Sequence, residues 1–246
     1  MPPTDPPAST DPKALAGRTA LVTGASRGIG RSVALRLAQL GARLLLVARD
    51  HERLAEVQQE IVDLASKAEA LPCDLASRSE IQTLASRVDA AGGCDILINA
   101  AGIGRIGVPL HEMPVEDFES IFATNVRAPF LLMHAVVPHM ITRGSGDVVN
   151  ISSLAGQGPL ANGAAYAASK WALNGLSYSA AEELRAHNIR VSVVAPGSVN
   201  TSFGGTGKDR AKMLQPEDVA TAVAMLVTQP RHAFISEVRM RPTQKP

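Results

Sequence analysis

Tyr166 and Lys170 are the residues whose types and spacing best suit acid–base chemistry in this sequence. They lie in a run of small and apolar residues, 164–186, that predicts one long helix. Residues four apart stand one turn above the other on the same face of a helix. A phenol has a pKa of about 10, but a lysine cation about 5 Å away favours its phenolate by roughly 3 kcal/mol. With a second positive charge nearby, such as an oxidised nicotinamide ring, the pair could exchange protons near neutral pH.

The overall composition argues against several other kinds of site, which matters because the same Tyr–Lys spacing also occurs on solvated helix faces. The 246-residue chain has a net charge of +1 and only 3% aromatic residues, which argues against nucleic-acid binding. Cys73 and Cys94 predict free thiols, and the six histidines lack the spacing of metal ligands, so we expect no metal. No uninterrupted apolar run reaches membrane-spanning length and no signal-peptide core is present, so we expect a cytoplasmic protein without membrane attachment.

A glycine-rich turn follows the first predicted strand, 19–23, and leads into an amphipathic helix. Glycines let the backbone bend tightly and approach a pyrophosphate, while the helix N-terminus offers free N–H groups and a positive dipole end. Tight turns use glycines too, but the flanking strand and helix favour nucleotide binding. The residues predicted to bind a cofactor here are Gly24, Ser26, Arg27, Gly28, Ile29 and Gly30.

The end of the second predicted strand, 43–48, indicates which cofactor is bound. In a dinucleotide-binding fold an acid at this point binds the adenosine ribose, whereas an arginine accommodates a 2′-phosphate. Ala48 takes the place of the acid, Arg49 follows it, and Arg27 lies in the glycine turn. We therefore predict NADP(H) rather than NAD. Asp50 is the alternative ribose ligand, although its position before a helical segment favours a helix N-cap.

Strands and helices alternate along the rest of the chain. We predict further helices near 51–65 and 77–90, and further strands near 68–72, 95–98, 147–151, 189–195 and 237–241. This alternation is typical of βαβ units that build a parallel sheet with ligands at its carboxyl edge. The sequence therefore predicts one doubly wound Rossmann-type α/β domain over 17–246, with about seven strands and helices on both faces. Residues 1–16 are rich in proline and predict a disordered arm.

Polar residues follow several of the predicted strands. Asp74 and Asn99 each fall at a strand's carboxyl end. Asp74 could bond an adenine amino group or cap the next helix. Ser152 and Ser153 come directly after another strand, where one hydroxyl can face the Tyr166 phenol, although serine pairs at such places are usually turn residues.

A long helix is predicted over 115–141. Pro129 within it predicts a kink, because proline removes one helical N–H. Asn125 lies among apolar residues of the same segment. It is either an exposed polar position or a local break that orients a water or a lysine.

These motifs together resemble the short-chain dehydrogenase/reductase family, in its short single-domain form, from about residue 16 to the C-terminus. Residues 23–30 look like the family's TGxxxGxG turn, and residues 99–102 are similar to its NNAG stretch. The family's catalytic tetrad is matched by Asn125, Ser153, Tyr166 and Lys170. Ser153 is chosen over Ser152 because the family's usual step of thirteen residues back from Tyr166 lands there. The remaining matches to cofactor-binding positions are Asp74, Leu75, Asn99, Ala100, Gly102, Tyr166, Lys170, Pro196, Gly197, Val199 and Thr201.

The resemblance implies an NADP(H)-dependent carbonyl reductase or alcohol dehydrogenase. Tyr166 would donate a proton to the developing alkoxide, and Ser153 would hydrogen-bond the same oxygen. Lys170 would lower the tyrosine pKa and bind the nicotinamide ribose, while Asn125 would hold a water that connects Lys170 to solvent. Two alternatives stay open: an NAD-dependent alcohol dehydrogenase, and a non-catalytic protein that senses NADP.

The predicted substrate wall is apolar, which favours a hydrophobic ketone or an acyl thioester such as 3-oxoacyl carrier protein. Its residues are Ile103, Leu154, Leu160, Val199 and Phe203. Two features depart from the family pattern: Ala100 replaces the second asparagine of NNAG, and the segment between Thr201 and Pro216 is shorter than the lid of many relatives. The short segment predicts a small or open pocket.

The predicted helices 115–141 and 164–186 carry more apolar surface than one face of a sheet can cover. Relatives pair these same helices between subunits. We therefore expect a homodimer or homotetramer.

Overall fold

Seven strands form one parallel sheet in the computed structural model, which describes residues 11–203 and 209–245. The strands are β1 (Thr19–Thr23), β2 (Arg43–Ala48), β3 (Ala68–Pro72), β4 (Ile96–Asn99), β5 (Gly146–Ile151), β6 (Ile189–Pro196) and β7 (Glu237–Met240). The helices are α1 (Gly28–Gln39), α2 (His51–Asp63), α3 (Arg78–Ala90), α4 (Val115–Phe122), α5 (Ala128–Arg143), α6 (Ala164–Leu184) and α7 (Pro216–Thr228). The order across the sheet is β3-β2-β1-β4-β5-β6-β7.

Apolar residues alternate between the two faces of the sheet, and helices cover both faces. In β1, Val22 belongs to a buried cluster with residues of α1, α2 and α7. Its neighbour Leu21 belongs to a second cluster with residues of α3, α5 and α6. Each fully buried side chain of this size contributes about 1.5–3 kcal/mol. The predicted doubly wound Rossmann-type sheet is confirmed.

The strand order reverses between β1 and β4, so the carboxyl ends of these two strands lie side by side. Ligands of open α/β sheets bind in the crevice at such a point. The glycine turn follows β1, and residues 99–102 follow or end β4. The neighbouring β5 delivers Ser152 and Ser153 at the same edge. The fold therefore gathers three of the predicted motifs.

The opposite end of the sheet is held by a buried ion-pair cluster. The Asp147 carboxylate, at the start of β5, accepts hydrogen bonds from Arg18 Nη2 at 2.6 Å and from Arg190 Nε at 2.7 Å. Arg190 also donates to three backbone carbonyl groups between residues 229 and 233. A buried carboxylate is tolerated because it is paired in this way. The cluster joins β5, β6 and the segment after α7, far from the ligand crevice.

The predicted helix over 115–141 is interrupted at a different place from the one expected. A π-helical turn, Ala123–Arg127, separates α4 from α5 and contains Asn125. Pro129 falls in the first turn of α5, where a missing N–H is tolerated. The break at Asn125 therefore replaces the kink predicted at Pro129.

The combined stretch Val115–Arg143 is long and apolar enough to cross a membrane, by length and composition alone. The sequence prediction overlooked it because Asn125 and Pro129 interrupt the apolar pattern. Buried residues of its second half, Leu132, Val136 and Met140, pack against α3 and the sheet. Core helices pass the same test, so the stretch is weak evidence for a membrane span.

The predicted N-terminal arm is only partly covered by the structure, because residues 1–10 lie outside the described residues. Residues 11–16 form turns against the domain, and Leu15 is fully buried. The Leu15 N–H donates to the Leu40 carbonyl at 2.8 Å. The last part of the predicted arm is therefore packed against the domain, and the boundary at residue 16 stays a prediction.

Candidate active site

Helix α6 places Tyr166 and Lys170 one above the other at the carboxyl edge of the sheet. Both side chains are buried, with Tyr166 7% exposed and Lys170 4% exposed. Lys170 Nζ donates a hydrogen bond to the Ile151 carbonyl at 2.9 Å and lies 5.8 Å from the centre of the Tyr166 ring. The lysine is thus anchored to the last residue of β5, directly before the two serines.

Ser153 begins a short 3-10 turn, Leu154–Gly156, and its hydroxyl accepts a hydrogen bond from Ala155 N at 3.1 Å. The turn is locked onto α6, because Asn174 Nδ2 donates to the Gly156 carbonyl at 2.9 Å. A Cβ atom at Gly156 would lie only 2.9 Å from the Lys170 carbonyl oxygen. This close approach requires glycine and holds Ser153 beside Tyr166.

Burial controls the titration of both α6 side chains. It raises the pKa of the Tyr166 phenol, and a hydrogen bond with Ser153 offsets part of the rise. Burial lowers the pKa of Lys170 to about 8. Desolvation thus leaves the phenol pKa above its ordinary value, and the effect predicted for Lys170 stays a prediction. Tyr166 is therefore protonated at neutral pH and suited to donate a proton.

Asn125 is fully buried, which excludes the exposed alternative. Its Oδ1 accepts from Ile103 N at 2.9 Å, and its Nδ2 donates to the Ile103 carbonyl at 2.8 Å and to Ser169 Oγ at 3.0 Å. The π turn thus pairs the segment after β4 with α6. Asn125 therefore lies at a local break in the helix predicted over 115–141. Its role in holding a water stays a prediction.

The glycine turn after β1 forms a cradle that side chains would fill. Gly24 has a φ of +67°, and a Cβ there would lie 2.9 Å from Ala101 Cα. A Cβ at Gly30 would lie 2.2 Å from the Gly24 carbonyl oxygen, so α1 packs directly on the turn. Arg27 is the N-cap of α1 but makes no side-chain capping bond, and the first turn of α1 holds no acid. The N–H groups of this turn can therefore bind a pyrophosphate. Ser26 lies in the same turn, and Ile29 packs on the core below it.

The end of β4 lies against the same cradle. Thr23 Oγ1 accepts hydrogen bonds from Ala100 N at 3.0 Å and Ala101 N at 3.1 Å. Asn99 Nδ2 donates to Asn150 at 2.8 Å, while the buried Asn99 Oδ1 has no partner among the described residues. A Cβ at Gly102 would lie 3.5 Å from Lys170 Nζ. Residues 99–102 therefore connect the glycine turn to the lysine.

The two candidates for the adenosine ribose differ in the contacts that their side chains make. Asp50 is the N-cap of α2, and its Oδ1 accepts from Arg53 N at 3.1 Å. Its Oδ2 lies 3.3 Å from Arg53 Nε. Arg27 and Arg49 are exposed, and neither forms an ion pair within residues 11–203 and 209–245. Two exposed arginines without an ion-pair partner among the described residues thus follow the neighbouring strands β1 and β2.

Asp74 does not cap the next helix. Ser77 is the N-cap of α3 and accepts from Glu80 N at 3.3 Å. Asp74 Oδ1 instead accepts from Ala76 N at 2.9 Å in a local turn. The capping alternative for Asp74 is therefore wrong, and its predicted bond to adenine stays a prediction. The neighbouring Leu75 is buried in the core.

The segment after β6 is fixed in front of the glycine turn. Gly197, which follows Pro196, donates its N–H to the Met240 carbonyl at 2.9 Å. Val199 forms an isolated bridge with Leu214. Thr201 Cγ2 would lie 3.2 Å from a Cβ at Gly28. Residues 196–201 therefore face the cradle, whereas residues 204–208 of the segment between Thr201 and Pro216 lie outside the described residues.

Some residues at the site are ones that sequence reasoning did not single out. Gly104 contacts the Tyr166 ring, since a Cβ there would lie 2.7 Å from Tyr166 Cδ2. Asn174 anchors the Ser153 turn. Asn174 lies one turn beyond Lys170 on α6, a helical spacing that could have pointed to it. No signal in the sequence pointed to Gly104.

Comparisons with known proteins identify the family of this chain. A family model described as short chain dehydrogenase matches residues 18–237. An uncharacterized oxidoreductase of Staphylococcus epidermidis is 32% identical over 227 residues, covering 92% of this chain and 97% of that protein. A solved metagenomic short-chain oxidoreductase in complex with NADP is 50% identical, with a TM-score of 0.84 and coverage of 94% of this chain and 100% of that one. An alcohol dehydrogenase from the archaeon Thermococcus sibiricus, complexed with 5-hydroxy-NADP, is 27% identical, with a TM-score of 0.86 and coverage of 93% and 98%. The chain belongs to the short-chain dehydrogenase family of oxidoreductases.

Proposed function

We propose that this protein uses NADP(H) to reduce a carbonyl group to a secondary alcohol, or to catalyse the reverse oxidation. The observation that carries the proposal is the convergence of Ser153, Tyr166 and Lys170 beside an open glycine cradle. Binding alone does not require a buried phenol and a buried amine on one helix face. This distinguishes the proposal from a non-catalytic NADP sensor.

The choice of NADP(H) is supported by the charges at the end of β2. Arg27 and Arg49 are free to meet a 2′-phosphate, whereas Asp50 is occupied as a helix cap. The metagenomic and Thermococcus sibiricus relatives were solved with NADP and 5-hydroxy-NADP. The residues that would hold the dinucleotide are those of the glycine turn, residues 99–102 and 196–201, and Lys170.

When bound, NADPH supplies the hydride that adds to the carbonyl carbon. Tyr166 donates its proton to the oxygen, whose developing negative charge Ser153 stabilises by a hydrogen bond. The Lys170 ammonium stabilises the phenolate that remains, and solvent returns the proton to the phenol. A raised pKa keeps Tyr166 protonated at neutral pH, which suits the reducing direction.

Turnover with a panel of apolar ketones and a 3-oxoacyl thioester tests the proposal, with NADPH oxidation as the readout. Tyr166→Phe should lower kcat by about 10²–10⁴-fold while NADPH still binds. Ser153→Ala should lower it by about 10²–10³-fold. NADPH binding without turnover on any substrate would favour the sensor. Tighter binding of NADH than of NADPH would favour the NAD-dependent alternative.

Assembly is part of the proposal. Large aromatic side chains are exposed on the outer faces of α4, α5 and α6. They are Phe118, Phe130, Trp171 and Tyr178. We propose that these helices pair two copies of the chain into a homodimer, or four into a homotetramer, and sedimentation of the purified protein tests this. The buried free thiols of Cys73 and Cys94 support a cytoplasmic location.

A further inference from the structure

Three segments that are distant in sequence meet at the outer side of the Tyr166 ring. Phe203, after β6, places its ring centre 5.4 Å from that of Tyr166, with 48° between the planes. Gly104, after β4, lies where the two rings meet. A Cβ there would lie 2.7 Å from Tyr166 Cδ2 and 2.9 Å from Phe203 Cζ. The contact between the rings thus depends on glycine at this position.

The Phe203 side chain is partly exposed, whereas the Tyr166 ring that it contacts is buried. It is 43% exposed, against 7% for Tyr166. Its backbone N–H donates to Thr201 Oγ1 at 3.3 Å. Tilted aromatic pairs at this distance are stabilising by about 0.5–1.5 kcal/mol beyond their burial. Part of the Phe203 ring therefore stays available to a third group that approaches Tyr166.

The position of the reacting oxygen decides what that third group is. A carbonyl oxygen that accepts a hydrogen bond from the phenol lies about 2.7 Å from it. A substituent of the carbonyl carbon that extends toward Phe203 would then lie within a few ångströms of both the Tyr166 and the Phe203 rings. A flat aromatic substituent can pack on the ring of Phe203 at the usual distance of about 4.5–7 Å.

The surroundings disfavour an anionic substituent. Ile103 and Leu154 are apolar, and Leu154 Cδ1 would lie 3.2 Å from a Cβ at Gly197. The exposed Arg105, in the segment next to Gly104, already has Asp117 as an ion-pair partner. Among the described residues near Phe203, the attraction offered to a substrate is thus mainly aromatic and apolar.

We propose that Phe203 is a specificity-determining residue that selects aryl ketones over aliphatic carbonyl substrates. The inference rests on the proposed function and narrows its substrate class. Phe203 supplies an aromatic surface beside the reacting oxygen, and Gly104 keeps that surface against Tyr166. A saturated ring or a flexible acyl chain has the same apolar character but cannot make the same flat contact.

Acetophenone and cyclohexyl methyl ketone test this, because they share one carbon skeleton and differ in flatness. The measured quantity is the ratio of their kcat/KM values with NADPH. The wild-type ratio should favour acetophenone by about three-fold or more, since an aromatic contact corresponds to about a two- to thirteen-fold effect. Phe203→Leu should bring the ratio close to unity, and Phe203→Tyr should preserve it.

Phe234→Leu is the matched control, because Phe234 is also partly buried but packs on the core cluster of α3, α5 and α6. It should leave the ratio unchanged. A wild-type ratio near unity, or a ratio that survives Phe203→Leu, overturns the inference while the proposed function stands. Absence of turnover with every ketone and thioester of the panel refutes the proposed function, and the inference with it. Titration of each variant with NADPH shows whether a changed ratio arises from lost cofactor binding.

Discussion

Replacement of Arg49 by alanine should weaken the binding of NADPH much more than that of NADH. Arg49 follows β2, is exposed, and has no ion-pair partner in the described part of the chain. A hydrogen bond between charged groups contributes about 1.5–3 kcal/mol. Because water surrounds this guanidinium, we take the lower end, about 1.5 kcal/mol, which corresponds to about a ten-fold increase in Kd. Arg27→Ala together with Arg49→Ala should then give about a hundred-fold increase if the two act independently.

Fluorescence of the reduced nicotinamide during titration measures both Kd values. NADH lacks the 2′-phosphate, so its Kd should change by less than about two-fold in either variant. The selectivity of the wild type should also shrink as salt is added, since exposed charges are screened over about 8 Å at physiological ionic strength. A selectivity that shrinks with salt indicates a charge contact with the 2′-phosphate. A selectivity that does not depend on salt would indicate an indirect change in the glycine turn.

Asp50→Asn is the matched control for this experiment. Asparagine caps a helix about as well as aspartate, so α2 should keep its N-cap and the protein its stability. We expect the Kd for NADH to stay within about two-fold of the wild type. A large loss of NADH binding in Asp50→Asn, with NADPH binding unaffected by Arg49→Ala, would refute the assignment of the cofactor.

Three further substitutions test other parts of the structure. Lys170→Met should abolish reduction yet raise the free energy of unfolding at pH 7 by about 2 kcal/mol in urea titrations, because burial lowers the lysine pKa from 10.5 to about 8 and only one hydrogen bond is lost. Between about pH 8 and pH 10.5 the folded protein binds fewer protons than the unfolded chain, so the wild-type free energy of unfolding increases as the pH rises through this range. The stability advantage of Lys170→Met over the wild type should therefore shrink over the same range. An advantage that stays constant with pH contradicts this. Gly156→Ala should lower kcat more than NADPH affinity and cost about 1–3 kcal/mol of stability, since its Cβ meets the backbone of α6; unchanged kcat contradicts the locked turn. Asp147→Asn should lower the thermal midpoint by about 6–12 °C in calorimetry, because two guanidinium groups lose their carboxylate, while an unchanged midpoint would show that the cluster is dispensable.

The sequence was sufficient for the features that depend on local pattern. Alternating apolar runs and glycine turns predicted the strands, most of the helices and the cradle after β1, because each depends on neighbours within a few residues. The sequence could not decide between an exposed Asn125 and a local break there, because the π turn depends on hydrogen bonds to Ile103, whose position is set by the fold. The sequence also left open whether Asp74 caps the next helix, and in the structure Ser77 is the N-cap of α3 instead.

The titration of the active site was the least predictable property. The spacing of Tyr166 and Lys170 on α6 indicated their proximity but not their depth. Their pKa values are dominated by burial, which comes from segments after β4, β5 and β6 that close over α6. A helix-face argument from Lys170 alone therefore omitted desolvation, which is the largest effect on the phenol pKa.

Buried charge is treated in opposite ways at the two ends of the sheet. At the amino end, Asp147 is neutralised by two guanidinium groups. At the carboxyl end, Lys170 has a carbonyl acceptor, Ile151, and no carboxylate partner within the described residues. A buried ammonium without a counter-charge destabilises the folded protein. Lys170 on α6 therefore lowers the stability of the fold. The formation of a phenolate at Tyr166 would supply the missing negative charge, so the same unpaired cation that weakens the resting fold favours the moment when Tyr166 gives up its proton.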